Sequence, residues 1–185
     1  GWALIDYYNI PKASYYAFKR NASSVTCSVV EAKKYRLYAA NDSLDGKDVS
    51  IKAYLLSLKD KEIIDTFETK IHSKPYCADY IELPWTPDDL QFVIGDIEYE
   101  GIKDRCFYKR KNLELKNCNT LLKVEKSGKS VRMSVDGYVH VVELDGDYIF
   151  SDNYFTMLPG EIRTITLEEC ENAMNKEITV CGYTL

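Results

Sequence analysis

The sequence predicts an all-β protein: two tandem β-sandwiches preceded by a short N-terminal helix. Three observations carry this expectation. Runs rich in β-branched and aromatic residues recur from Val25 onward at intervals of about ten residues. Clusters of Asn, Asp, Gly and Ser separate them. Nothing long enough to be a crossover helix lies between the runs, which argues for a Greek-key sandwich rather than a βαβ fold.

The helix comes first in the chain. Pro11 sets a φ suited to a first helical turn and biases Ile10 towards extended structure, so a helix is expected from Pro11 to Arg20. Lys19 and Arg20 fall in its last turn, where cations suit the dipole. Ten residues make a helix too short to persist alone, since about 12–15 residues is already marginal in water. Its aromatics, Tyr15, Tyr16 and Phe18, together with Trp2, Tyr7 and Tyr8 before it, call for a surface to cover them.

Seven strands are expected next, at 25–32, 35–40, 49–55, 63–71, 78–83, 92–99 and 105–109, the last two closing as a hairpin around Glu100-Gly101. Residues 49–55 alternate apolar with polar or small side chains, the mark of a strand with one face on a core. The polar cluster Lys109-Arg-Lys-Asn112 is the expected boundary. A smaller sandwich is then predicted from strands at 121–125, 130–135, 138–144, 148–150, 162–167 and 178–181, with a short helical turn within 167–176. Asp136-Gly137 and Asp145-Gly-Asp147 between apolar runs predict a tight meander of type I′ hairpins. The expected division is 1–21, 22–110 and 111–185.

Composition narrows the function classes. At 45% hydrophobic and 29% charged residues, the chain is that of a folded protein. A net charge of −5 gives no general attraction to nucleic acid or anionic lipid, and no apolar run approaches the roughly 20 residues of a membrane span. Six cysteines without a Cys-x-x-Cys pair suit free thiols in a reducing compartment and favour the cytoplasm. The triplets Asn21-Ala-Ser23 and Asn41-Asp-Ser43 keep a lysosomal or secreted route open. A chain opening on Gly1 reads as a processed piece, so its lack of a signal peptide carries no weight.

Two runs carry a family resemblance. Residues 2–8, Trp-Ala-Leu-Ile-Asp-Tyr-Tyr, followed by Pro-Lys-Ala-Ser-Tyr-Tyr-Ala-Phe-Lys-Arg at 11–20, resemble the last helix region of the catalytic (β/α)8 barrel in β-mannosidase-type enzymes of glycoside hydrolase family 2. The chain departs from that pattern at Asn9, where those enzymes usually carry Gly, and Asn also tolerates positive φ. Far downstream, Ser151-Asp-Asn-Tyr-Phe and Leu158-Pro-Gly-Glu161 are similar to a run in the last sandwich domain of the same family. The resemblance implies immunoglobulin-like sandwiches after the barrel, although the antibody spacing of Cys, Trp and Cys is absent. It also implies a parent that cleaves terminal β-mannosides or related β-glycosides with retention. The chain would supply its non-catalytic accessory domains, with Trp2, Tyr7, Tyr8, Tyr15, Tyr16 and Phe18 facing the barrel.

The residues themselves offer no chemistry. A retaining glycosidase needs two carboxyl groups about 5–5.5 Å apart. In the family the acid/base glutamate follows an Asn, and no Asn-Glu pair occurs here. Asp88-Asp89, Asp145/Asp147 and Glu168-Glu169 read as turns or solvated segments, and a calcium site at Asp145 and Asp147 would lack its remaining oxygen ligands. Gly128-Lys-Ser130 reads as a turn, because Lys123 stands where a phosphate loop needs its first Gly. His72 and His140 have no partners at zinc spacing, and His140 reads as structural or exposed. No cofactor is expected. Fifteen tyrosines keep a carbohydrate-binding or adhesion module as the alternative, with carbohydrate and a second copy of the chain as candidate partners beside the barrel. Tyr154 and Phe155 are expected to be buried, with Asp152 and Asn153 bonding local backbone.

Overall fold

Strand alternation and turn chemistry lay down two units, each with its own core. The computed structural model describes residues 3–109, 114–169 and 177–185, and the chain divides into residues 20–112 on one side and residues 1–19 with 113–185 on the other. The boundary cluster proposed at 109–112 lies outside the described residues except for Lys109.

The first unit contains β1 (Val25–Val30), β2 (Arg36–Asn41), β3 (Lys47–Ser57), β4 (Ile63–Ser73), β5 (Cys77–Glu82), β6 (Gln91–Tyr99) and β7 (Ile102–Tyr108). They form two antiparallel sheets, β1-β2-β5 and β4-β3-β6-β7. Val49, Ile51, Ala53 and Leu55 alternate inward along β3 and meet Leu37 and Ala39 of β2 in one core. Gly95 of β6 admits that contact, since a Cβ there would lie 2.3 Å from Leu37 Cδ1. Glu100 and Gly101 turn β6 into β7 with φ of 49° and 80°, so the expected hairpin closes through the two left-handed residues of a type I′ turn.

The second unit contains β8 (Lys116–Asn117), β9 (Leu122–Ser127), β10 (Ser130–Val135), β11 (Val139–Asp145), β12 (Tyr148–Phe150), β13 (Phe155–Met157), β14 (Ile162–Glu169) and β15 (Thr179–Thr184). Its sheets are β12-β14-β10-β9 and β13-β11-β15-β8. The sequence missed β8 and β13, two and three residues long, neither of which follows an Asp-Gly turn signal like the one that marked the equally short β12. Leu167 to Glu169 end a strand rather than open a helical turn, and residues 170–176 of that expectation lie outside the described residues.

The expected meander is corrected. Gly128, at φ 53°, does turn β9 into its partner β10, and Ser130 Oγ donates to Ser127 O at 3.0 Å across that turn. Asp136-Gly137 and Asp145-Gly-Asp147, however, carry the chain from one sheet to the other. Gly137 has no positive φ. The reason is the core: Val131, Met133 and Val135 of β10 face Val139, Val142 and Leu144 of β11 across the sandwich. Pairing the two strands edge to edge would lose that burial. An Asp-Gly signal marks a change of direction, whereas long-range apolar contact chooses the partner.

The opening segment belongs to this second unit. The Asp6 carboxylate accepts the amides of Tyr8 (2.8 Å) and Ile10 (2.9 Å), and Asn9 takes φ 65°. This turn bridges Ile5 to Pro11, and Lys12 N donates to Leu4 O at 3.0 Å. Pro11 is therefore held in the bridge, and α1 (Ala13–Asn21) starts two residues later than its proline suggested. Tyr16 of α1 is fully buried among Val131, Phe150, Phe155 and Leu167 of the sandwich core. Tyr16→Ala is expected to destabilise this unit by about 3–5 kcal/mol, read as a lowered denaturant midpoint. The exposed neighbour change Ala17→Ser should stay within about 0.5 kcal/mol.

Candidate functional site where the opening helix meets residues 150 to 161

The two runs that are far apart in sequence come together in space. The Phe150 amide donates to the Tyr16 hydroxyl at 3.3 Å, and Lys19 Nζ donates to Ser151 O at 2.9 Å. Tyr16 also packs edge-on against Tyr15 (centroids 5.2 Å apart) and lies 6.1 Å from the Tyr154 ring.

Residues 151–161 earn their place through hydrogen bonds rather than exposed chemistry. Asn153, 3% exposed, accepts the Leu144 amide on Oδ1 at 2.8 Å and donates Nδ2 to Leu144 O at 2.7 Å. Phe155 of β13 pairs with Val142 of β11, so continuing the register places residue 153 opposite Leu144. The Asn153 carboxamide thus extends the ladder by imitating a backbone peptide. Its Oδ1 also accepts the Tyr154 amide at 2.8 Å, which helps hold Tyr154 at φ 54°, an uncommon conformation for an aromatic residue. Asp152 Oδ1 accepts the Asn153 amide at 2.9 Å. Phe155 is buried, Tyr154 packs partly against the core, and the Arg163 guanidinium lies 4.8 Å over the Phe155 ring. Pro159 and Gly160 (φ 78°) occupy the central positions of a type II turn closed by Glu161 N to Leu158 O at 3.0 Å. These residues are fold determinants, as expected for Tyr154, Phe155, Asp152 and Asn153.

The six aromatics assigned to a barrel-facing surface separate. Tyr7 is 92% exposed, Phe18 61% and Tyr8 47%. Tyr15 packs partly on the core. Tyr16 is a correction to the outward reading, because the sandwich core already encloses it. Trp2 lies outside the described residues.

Elsewhere the two histidines and Asp88 are structurally occupied. His140 is buried with Nδ1 2.6 Å from the Tyr138 hydroxyl, and exposed His72 pairs with Asp48 at 2.9 Å. Asp88 accepts the Leu90 amide at 2.7 Å in a turn. Among the described residues no group of three or more His, Cys, Asp or Glu side chains is arranged to hold a metal ion. Tyr80 is exposed beside Tyr38, with the Arg36 guanidinium 4.3 Å over its ring.

The fold and site define a tandem sandwich protein of immunoglobulin-like type without a catalytic constellation among its described residues. Residues 114–183 match the family Ig_mannosidase, described as an Ig-fold domain, so this segment is similar to the immunoglobulin-fold domains of that family. Among solved structures the chain resembles the β-D-mannosidase of Dictyoglomus thermophilum, with a TM-score of 0.67 and 17% identity over 100% of this chain and 24% of that one. It also resembles the exo-chitosanase CsxA of Amycolatopsis orientalis, with a TM-score of 0.63 and 11% identity over 97% of this chain and 29% of that one. At such identities the likeness speaks to fold, and the chain spans only about a quarter of those relatives' lengths. No curated protein sequence matches the chain. The family match and the shared fold support the resemblance read from the two sequence runs, that of a C-terminal immunoglobulin-like region of a family 2-type glycoside hydrolase.

Burial pushes the Tyr16 phenol up to about 12, against the opposing pull of the Phe150 amide. Burial and then the Glu143 carboxylate push Tyr154 up to about 12 as well. Both folded-state values exceed the unfolded value of about 10. Their contribution to stability is therefore complete below pH 10 and lost as pH rises through about 12. The denaturant midpoint of the second unit should fall across this window, and Tyr16→Phe should shallow the fall. An ultraviolet difference titration of the same variant should lose one late-ionising tyrosine.

Proposed function

We propose that the chain is the non-catalytic accessory region of a retaining β-mannosidase-like glycoside hydrolase acting on terminal β-mannosides or related β-glycosides. The observation that carries this is the match of residues 114–183 to a mannosidase immunoglobulin-fold family within a chain that superposes along its whole length on one quarter of a β-D-mannosidase. The region's role is architectural: it offers a rigid sandwich whose opening segment contacts the catalytic barrel. The residues proposed for that contact are Trp2, Tyr7, Tyr8 and Phe18, with Tyr15 at the margin and Tyr16 serving as the internal anchor that presents them. Leu4 and Ile5, also exposed, extend the apolar surface. Both catalytic carboxylates would come from the barrel. The alternative of an independent carbohydrate-binding or adhesion module is supported only by exposed aromatic rings such as Tyr76 and Tyr80.

Three outcomes test this reading. The chain alone should not hydrolyse an aryl β-mannoside, and measurable turnover would overturn the accessory role. The coding sequence upstream of the Gly1 codon should encode barrel strands ending in two glutamates, and its lack of them would remove the enzyme assignment. The variant Tyr7→Ser/Tyr8→Ser/Phe18→Ser should leave the isolated chain's stability within about 0.5 kcal/mol per site. In the full-length enzyme it should lower the thermal midpoint by about 5 °C.

A further inference from the structure

The first unit holds two thiols that the accessory role does not use. Cys27 on β1 and Cys106 on β7 lie in different sheets, and both side chains pack against one core. Each thiol donates to a single acceptor, the Gly95 carbonyl oxygen, at 3.6 Å. Sharing that one oxygen makes the two sulfurs neighbours. The seam between their strands is held in register by Asp104, whose Oδ2 accepts the Cys27 amide at 2.8 Å. Gly95 leaves little slack beneath them, since a Cβ there would sit 3.1 Å from Cys106 Sγ. Both cysteines are half-buried rather than enclosed in the core. Cys77 lies on β5, whereas Cys118 and Cys181 belong to the other unit.

We propose that Cys27 and Cys106 form an oxidisable pair that staples the two sheets of the first sandwich through one disulfide, with a low-molecular-weight disulfide such as glutathione disulfide as the oxidant. The Cys27 thiolate attacks the reagent, forming a mixed disulfide and releasing one thiolate. Cys106 then loses its proton and attacks the Cys27 sulfur, expelling the second thiolate. Two protein thiols are oxidised to one Sγ–Sγ bond, and one reagent disulfide is reduced to two thiols. The Cys106 contact, then burial and the nearby Asp104 carboxylate, push the Cys27 pKa up, so the thiolate is scarce and exchange is slow. The pair therefore behaves as a structural lock set by its redox surroundings, not as a fast sensor. The closed loop runs from the first strand of the sandwich to the last, the long-loop case in which a cross-link restricts the unfolded chain most.

The test incubates the full 185-residue chain with a glutathione redox buffer, blocks remaining thiols and maps unreduced peptides. The expected result is a peptide linking Cys27 to Cys106 with a loss of about 2 Da, and a thermal midpoint at least about 5 °C above that of the reduced sample. Cys27→Ser and Cys106→Ser should each abolish both effects, whereas Cys77→Ser should keep them. If serine is not tolerated near the core, Cys27→Ala and Cys106→Ala serve, with folding checked by circular dichroism under reducing conditions. Glutathione retained as a mixed adduct on either cysteine, a different predominant pairing, or a Cys27–Cys106 link that fails to raise the midpoint would each overturn the proposal.

Discussion

The insertion of Tyr16 into the core of the second unit is the constraint on which that unit's organisation depends. A nine-residue helix has too few internal hydrogen bonds to persist by itself. What holds it is one fully buried ring whose hydroxyl accepts the Phe150 amide, supported by Lys19 on the Ser151 carbonyl. The helix in turn covers the edge where β12 runs into the 151–155 loop. Remove the ring, and the Phe150 amide loses its acceptor while the core around Phe155 and Leu167 opens. The dependence is mutual, which explains how residues separated by more than a hundred positions come to behave as one structural element.

That mutual dependence also accounts for what could be read from the sequence. Local features were legible: all seven strands of the first unit, the Glu100-Gly101 turn and the positive φ of Asn9 each follow from a few adjacent residues. Pairing was less so. Asp136-Gly137 looks like a hairpin to any local rule, yet Val131 and Val139 need to face each other across a core, and no window of ten residues contains that information. The helix start moved for a similar reason, since Pro11 is bridged to Ile5 by a turn that Asp6 closes.

At the junction, the sequence marked the right residues for a partly different reason. Tyr154, Phe155 and Asn153 were expected to build the fold, and they do. What no sequence signal disclosed is that the Asn153 carboxamide continues the β11–β13 register opposite Leu144, because the register itself depends on a three-residue strand. Tyr16 was grouped with the exposed aromatics because a short helix with rings on several sides does not declare which side is covered. The missing information was the position of the sandwich, which lies more than a hundred residues downstream in the chain.

The arrangement nevertheless gives the opening segment two distinct faces. Residues 16 and 18 are about 200° apart around a helix, so burying Tyr16 against the sandwich turns Phe18 away from it. The Asp6 turn does the same for Tyr7, which lies inside a turn closed by the Tyr8 and Ile10 amides while its ring stays in solvent. An exposed aromatic on a loose terminus would lose conformational entropy on docking, whereas these rings are carried on a segment already fixed by Tyr16, Pro11 and Asp6. Preorganisation of this kind suits a surface that stays against one partner, and it is the physical reason the proposed barrel contact takes the buried tyrosine and the exposed rings together.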